Sequence, residues 1–151
     1  RIVNSVAAHE KYGGPLVIVD FGTATTFDVV SKKGEYLGGA IFPGVQLSME
    51  ALFKHTAKLP RVELAEPERV IGKSTIESIQ SGAIHGFASM IDGMVSKIQA
   101  ELGQKTQVIA TGGVVPLIAN KVKSIDVIDP FLTLEGLQII HKHNKNNNPK
   151  K

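Results

Sequence analysis

The chain has 151 residues, 42% hydrophobic and 21% charged, with a formal net charge of +3 and no cysteine. That length suits one domain able to bury a real core, and the lack of cysteine excludes disulfides, thiolate catalysis and cysteine zinc sites while fitting a reducing compartment. With no run of eighteen or more apolar residues and no signal peptide, the reading is a cytoplasmic protein without a membrane partner.

Arg1 leads straight into an apolar pattern (Ile2, Val3, Val6, Ala7, Ala8), which predicts a helix over 2–10. With no initiating Met, this opening reads as a cut into a longer chain. Gly13-Gly14-Pro15 turns the helix, and the run Leu16-Val17-Ile18-Val19-Asp20 predicts a buried central strand that ends on a carboxylate. Residues 25–31 alternate β-branched side chains as a second strand, Lys32-Lys33-Gly34 turns again, and 36–42 makes a third.

Pro43-Gly44 ends this meander, and 45–58 has helical spacing. A loop rich in Pro and Glu follows. The clearest helical periodicity runs over 75–102, carried by Ile76, Ile79, Ala83, Phe87, Ile91, Met94, Ile98 and Leu102. The same span carries Gly82, Gly86, Ser89 and Gly93 on one stripe. Each Gly costs about 1 kcal/mol against Ala in a helix, so the stripe predicts a close helix–helix contact, within the chain or across a subunit interface.

Beyond it come a strand over 107–110, a Thr111-Gly112-Gly113 turn, a helix over 114–122, a strand over 126–128 and a helix over 132–143. Three antiparallel strands followed by crossovers, β-β-β-α-β-α-β-α, predict a ribonuclease-H-like, actin-like α/β domain over 1–144. Residues 145–151 read as a disordered polar tail. Lys142, Lys145, Lys150 and Lys151 concentrate the basic excess at this end, so the charge implies no nucleic-acid partner.

Two motifs are false friends. Asp20-Phe21-Gly22 matches the magnesium-holding triplet of protein kinases, but the His-Arg-Asp and Ala-Pro-Glu segments of that fold are missing. Gly72-Lys73-Ser74-Thr75 matches the end of a Walker A loop, yet Pro67 stands where its first Gly belongs. Ser74 or Thr75 instead reads as a helix cap, with Glu77 and Ser78 in the first turn.

Asp20-Phe21-Gly22-Thr23-Ala24-Thr25-Thr26, between two strands, suits a hairpin phosphate loop. Gly22 permits close approach, and Thr hydroxyls and N–H groups can donate to phosphate oxygens. Plain strand propensity explains the threonines as well. Thr111-Gly112-Gly113, between a buried strand and a helix, suits a nucleotide lying against backbone, or a purely local turn. The five histidines show no metal-ligand spacing apart from the pair His141 and His143 near the end of the chain. Asp28 and Asp92 fit polar site residues and surface positions equally.

Taken in order, DFGTATTFDVV, GGAIFPGVQLSMEAL, GKSTIESIQSG, VIATGGVV and IDPFLTLEGLQII strongly resemble type III pantothenate kinase, over nearly the whole chain to about residue 144. The resemblance implies an actin-like homodimer that uses ATP to phosphorylate pantothenate to 4'-phosphopantothenate, opening coenzyme A biosynthesis. It implies a monovalent cation (potassium or ammonium) held by Asp20, and Mg2+ arriving with ATP. By the same resemblance Gly22 and Thr23 contact ATP phosphate, Gly112 and Gly113 flank adenosine, and Arg1 and Thr75 contact pantothenate.

Arg1 then ends the family's Gly-x-Asp-Arg motif, whose Asp, the expected catalytic base, would immediately precede it. The family's N-terminal half, with its Asp-x-Gly-Asn-Thr loop, is also outside this sequence, so the chain alone is expected to be inactive and to need that half as a partner. The alternatives are a non-catalytic regulatory or accessory protein that keeps the fold, and another small-molecule kinase of the superfamily.

Overall fold

The computed structural model describes residues 1–147. A five-stranded sheet in the order β3-β2-β1-β4-β5 is built from β1 (Leu16–Phe21), β2 (Ala24–Val30), β3 (Tyr36–Pro43), β4 (Gln107–Thr111) and β5 (Val127–Ile128). The first three strands pair antiparallel, while β1 pairs β4, and β4 pairs β5, in parallel. β1 is central, and Leu16, Val17, Ile18 and Val19 are all fully buried, as a strand covered on both faces requires.

Alternation along β1 splits the core in two. Val17, Val19 and Phe21 face α2 (Val45–His55) and the long helical span, joining Met49, Ile84, Phe87 and Ile91. Leu16 and Ile18 face α1 (Ile2–Tyr12) and α6 (Leu132–Asn147), joining Ala7, Ala8 and Leu132. Asp20 continues the second parity, so its carboxylate lies on the α1 side.

The expected helix over 75–102 is three pieces: α3 (Thr75–Ser81), a π-helical turn (Gly82–Gly86) and α4 (Phe87–Leu102). Glycines bound the wide turn at both ends, where no side chain resists it. A Cβ added at Gly82, Gly86 or Gly93 would meet nothing within 4 Å, so the small-residue stripe packs against no other backbone among the described residues. The intramolecular version of that expectation is therefore wrong, because the stripe faces outward.

Several boundaries move. α2 stops at His55 rather than residue 58, and the helix expected over 114–122 is α5 (Val115–Ile118) followed by a 3-10 turn (Ala119–Lys121). α6 continues to Asn147, so helix covers the first part of the tail expected over 145–151, whose last residues, 148–151, lie outside the described ones. Ser74 caps α3 by accepting from the Glu77 N–H at 3.2 Å, while the Glu77 carboxylate accepts from the Lys73 N–H at 2.8 Å. The Lys73 amide, which a phosphate loop would need, is thus already engaged.

Candidate functional site

β1 and β2 are joined by the two-residue turn Gly22-Thr23, closed by the Gly22 N–H to the Ala24 carbonyl at 3.1 Å. Two glycines from elsewhere press on this turn. A Cβ at Gly44 would collide with the carbonyls of Gly22 and Thr23, and the Gly44 N–H donates to the Thr23 carbonyl at 2.9 Å. On the other side a Cβ at Gly112 would stand 2.5 Å from the Phe21 carbonyl oxygen, and the φ of Gly112, 109°, favours glycine in any case. Backbone therefore abuts backbone on both flanks of the turn.

The elements that flank the turn wall two cavities. On the Gly112 side a space of about 380 Å³ is lined by Thr111, Gly112, Gly113, Ile128, Pro130 and Thr133. On the Gly44 side α2 runs from the turn into a cavity of about 660 Å³, whose walls include Ser48, Met49, Lys73, Thr75, Ser78 and Phe87. The hairpin turn is linked to the first through Gly112 and to the second through Gly44 and α2.

Asp20, the penultimate residue of β1, pairs with Thr111 of β4. Its Oδ2 accepts the Asn4 amide at 2.9 Å, and the Asn4 Oδ1 accepts the Thr133 hydroxyl at 2.8 Å. Asn4 is buried, and these two bonds fix which way its amide points. The other Asp20 oxygen, Oδ1, lies 3.9 Å from where a Gly22 Cβ would stand, so the carboxylate presents it toward the turn. Burial pushes the Asp20 carboxyl above the usual carboxylate range, with the Asn4 bond opposing that rise and Asp28 adding to it.

Arg1 joins a second polar cluster on the same face. Its Nε donates to Asp28 Oδ1 at 2.7 Å, and that oxygen also accepts the Tyr36 hydroxyl at 2.8 Å. Asp28 is fully buried, so its surface reading is wrong. Asp92 instead holds a loop, accepting from the Lys123 and Ser124 N–H groups.

The structure thus brings Asp20, Gly22, Thr23, Gly112 and Gly113 to one end of the sheet. Arg1 lies on the α1 side, near them through Asp28 and Asp20. Thr75 is apart: it is exposed and lines the cavity on the opposite face, which Arg1 does not line. Among the described residues no group of three or more His, Cys, Asp or Glu gathers to form a metal cage.

Sequence reasoning missed Asn4, Tyr36 and Thr133. Asn4 carried a signal, as a polar residue inside the apolar pattern of α1, whereas Tyr36 and Thr133 carried none.

A family model described as type III pantothenate kinase matches residues 1–97. The chain belongs to the type III pantothenate kinase family. Curated type III pantothenate kinases agree: that of Moorella thermoacetica is 56% identical over 144 residues, 95% of this chain and 57% of the relative. Those of Myxococcus xanthus (55% over 144 residues, 95% of this chain, 56% of the relative) and Koribacter versatilis (54% over 151 residues, 100% and 55%) are similar. This type III pantothenate kinase chain therefore spans a little over half the length of the relatives it matches.

Among solved structures, a Baf family transcriptional activator from Campylobacter jejuni superposes with a TM-score of 0.65 at 23% identity, over 95% of this chain and 65% of that one. The activator of 2-hydroxyisocaproyl-CoA dehydratase from Clostridium difficile, with bound ADPNP, gives a TM-score of 0.51 at 12% identity, over 99% and 69%. At these identities the likeness shows the fold alone.

Proposed function

We propose that the protein containing this chain transfers the γ-phosphoryl group of ATP to pantothenate, the first step of coenzyme A biosynthesis. The observation that carries this reading is the packing around the Gly22-Thr23 turn: Gly44, which presses on it, caps the helix that walls the Thr75 cavity, and Gly112, which presses on the adjoining Phe21 backbone, walls the other cavity. A phosphoryl group passing from nucleotide to acceptor needs a loop of donors between the two, and such transfer depends mostly on positioning and charge stabilisation.

In this reading Gly112 and Gly113 take the adenosine side, while the N–H groups of the turn and the Thr23 hydroxyl donate to phosphate oxygens. Arg1 and Thr75 hold pantothenate, and Mg2+ arrives with ATP. Asp20 suits a potassium or ammonium ion: it is a half-buried carboxylate with one oxygen fixed and the other turned toward the loop. A cation bound there would supply positive charge beside the turn.

Arg1 and Thr75 lie on opposite faces of the sheet, which supports a homodimer in which two copies combine to complete the acceptor site. The outward stripe of Gly82, Gly86 and Gly93 supports the same arrangement. The 151 residues alone are expected to be inactive and to need the N-terminal half, whose Asp before Arg1 would act as the base. A cytoplasmic location belongs to this reading. Among the described residues no helix is long and apolar enough to cross a membrane.

The test is ATP- and potassium-dependent phosphorylation of pantothenate by the complete protein, alongside this chain alone and the chain mixed with a separately expressed N-terminal half. Folded, associated halves and a folded complete protein without activity would sink the reading and favour a non-catalytic role. Retained pantothenate affinity in Thr75→Ala would remove Thr75 from the acceptor site.

A further inference from the structure

Asp28 is fully buried, and a carboxylate withdrawn from water must be paired or it is strongly unfavourable. Its Oδ1 accepts Arg1 Nε at 2.7 Å and the Tyr36 hydroxyl at 2.8 Å, and its Oδ2 accepts the Thr26 hydroxyl at 3.3 Å. Arg1 meanwhile lies over the Tyr36 ring, 5.7 Å from its centroid. An Arg side chain loses considerable rotamer freedom when held, and here one buried carboxylate and one aromatic face hold it in advance of any ligand.

The mode of holding matters. The bond to Asp28 runs through Nε, the inner nitrogen of the guanidinium, and the Arg1 side chain remains 37% exposed. Its terminal nitrogens are thereby left to other partners. Gly39, opposite Asp28 on β3, completes the seat: a Cβ there would press on the Phe27 carbonyl and approach Arg1 Nη2 to 3.1 Å. The charge on Arg1 is reinforced by the Asp28 bond, which raises its pKa further above the usual arginine value.

We infer that Asp28 and Tyr36 are positioning residues that seat the Arg1 guanidinium by its Nε and leave its terminal N–H groups for oxygens of the acceptor substrate. This rests on the reading that Arg1 contacts pantothenate. A purely structural salt bridge would need neither the aromatic face beneath the guanidinium nor outer nitrogens without a hydrogen-bond partner among the described residues.

The experiment measures steady-state kinetics of the complete protein for both substrates, with circular dichroism melts as a folding control. Asp28→Asn keeps the shape and removes the charge, and it should raise the pantothenate KM about tenfold or more, as for a hydrogen bond to a charged group. Tyr36→Phe removes one hydroxyl from a partly exposed side chain, so it should fold even where Asp28→Asn does not, and should raise that KM about threefold or more. The ATP KM should stay within about twofold, the tolerance of surface changes away from a site.

Adding Asp28→Asn to Arg1→Ala should worsen the pantothenate KM no further than Arg1→Ala alone, because a positioning residue acts only through its partner. Equal rises in both KM values, or an additive double variant, would overturn the inference and leave Asp28 and Tyr36 structural. So would a Tyr36→Phe enzyme with unchanged pantothenate KM. A folded wild-type protein with no pantothenate phosphorylation would instead sink the functional reading beneath it.

Discussion

Asn4 and Asp20 meet across the α1–β1 interface at 2.9 Å, amide to carboxylate, and Asn4 passes the contact on to Thr133 at 2.8 Å. A wall of the Gly112 cavity is thus bonded, through one buried side chain, to the carboxylate near the end of the central strand.

Removing Asn4 should therefore destabilise the chain. Asn4→Ala leaves a half-buried carboxylate without its donor, a loss of about 2 kcal/mol by the usual worth of hydrogen bonds to charged groups. Thr133→Val removes a neutral bond at an exposed position and should lose about 1 kcal/mol or less. Urea denaturation of both variants checks the order, and a Thr133→Val loss equal to that of Asn4→Ala would contradict it.

Asp20→Asn should act in the opposite direction. Burial raises the Asp20 carboxyl above its ordinary 3.8. A carboxyl raised on folding contributes stability that is full below its unfolded value and lost as pH rises through the folded value. At neutral pH the ionised group is thus a burden in the ligand-free chain, and the neutral amide removes it. Asp20→Asn should melt higher than wild type at pH 7, with the gap closing as pH falls below 3.8. The proposed phosphoryl transfer should fall about a hundredfold. A variant that melts lower at pH 7 and keeps that deficit in acid would refute the sign.

The sheet was legible because local chemistry and tertiary packing agree in it. Leu16 to Val19 admit no face for water, and the turns at Gly22-Thr23 and Lys32-Lys33-Gly34 separate the antiparallel strands. The cap at Ser74 was legible for the same reason, since its Glu77 partner stands three residues on. What stayed hidden depends on pairs distant in sequence. Asp28 reads as an ordinary strand residue until Arg1 and Tyr36 are seen to converge on it. Thr133 gains meaning only because α6 packs beside α1. The π turn at Gly82–Gly86 breaks no hydrophobic periodicity, so the pattern over 75–102 conceals it.

Gly112 and Gly113 should respond differently to alanine. Gly112→Ala must hold φ 109° and bring its Cβ to 2.5 Å from Phe21 backbone, a strain of about 1–3 kcal/mol before any repacking. Gly113 has no such φ, and a Cβ there meets nothing within 4 Å, so Gly113→Ala should fold like wild type. Its methyl group lies at the wall of the cavity assigned to adenosine, and ATP affinity should fall without loss of stability. Thermal melts and calorimetric titration with an ATP analogue separate the two effects, and equal melting losses would contradict the contrast.

The far end of α1 is fixed by Asp129, and this contact should set how firmly the site end is held. Asp129 is buried and accepts from Lys11 Nζ and the Tyr12 hydroxyl, each at 2.8 Å, and from the Phe131 N–H at 3.1 Å. Burial alone would raise its carboxyl, but the Lys11, Tyr12 and Phe131 bonds outweigh that and hold it below 3.8. A carboxyl lowered on folding contributes stability that is present above its unfolded value and lost as pH falls through the folded one. Asp129→Asn should therefore cost about 2 kcal/mol at pH 7, in the range for hydrogen bonds to charged groups. The deficit should shrink in acid below 3.8 as the wild-type carboxyl takes up its proton. Because α1 also carries Arg1 and Asn4, the same variant should weaken substrate binding at neutral pH although residue 129 touches neither. Paired denaturation curves at pH 7 and in acid test this, and a deficit independent of pH would show that packing, not charge, fixes α1.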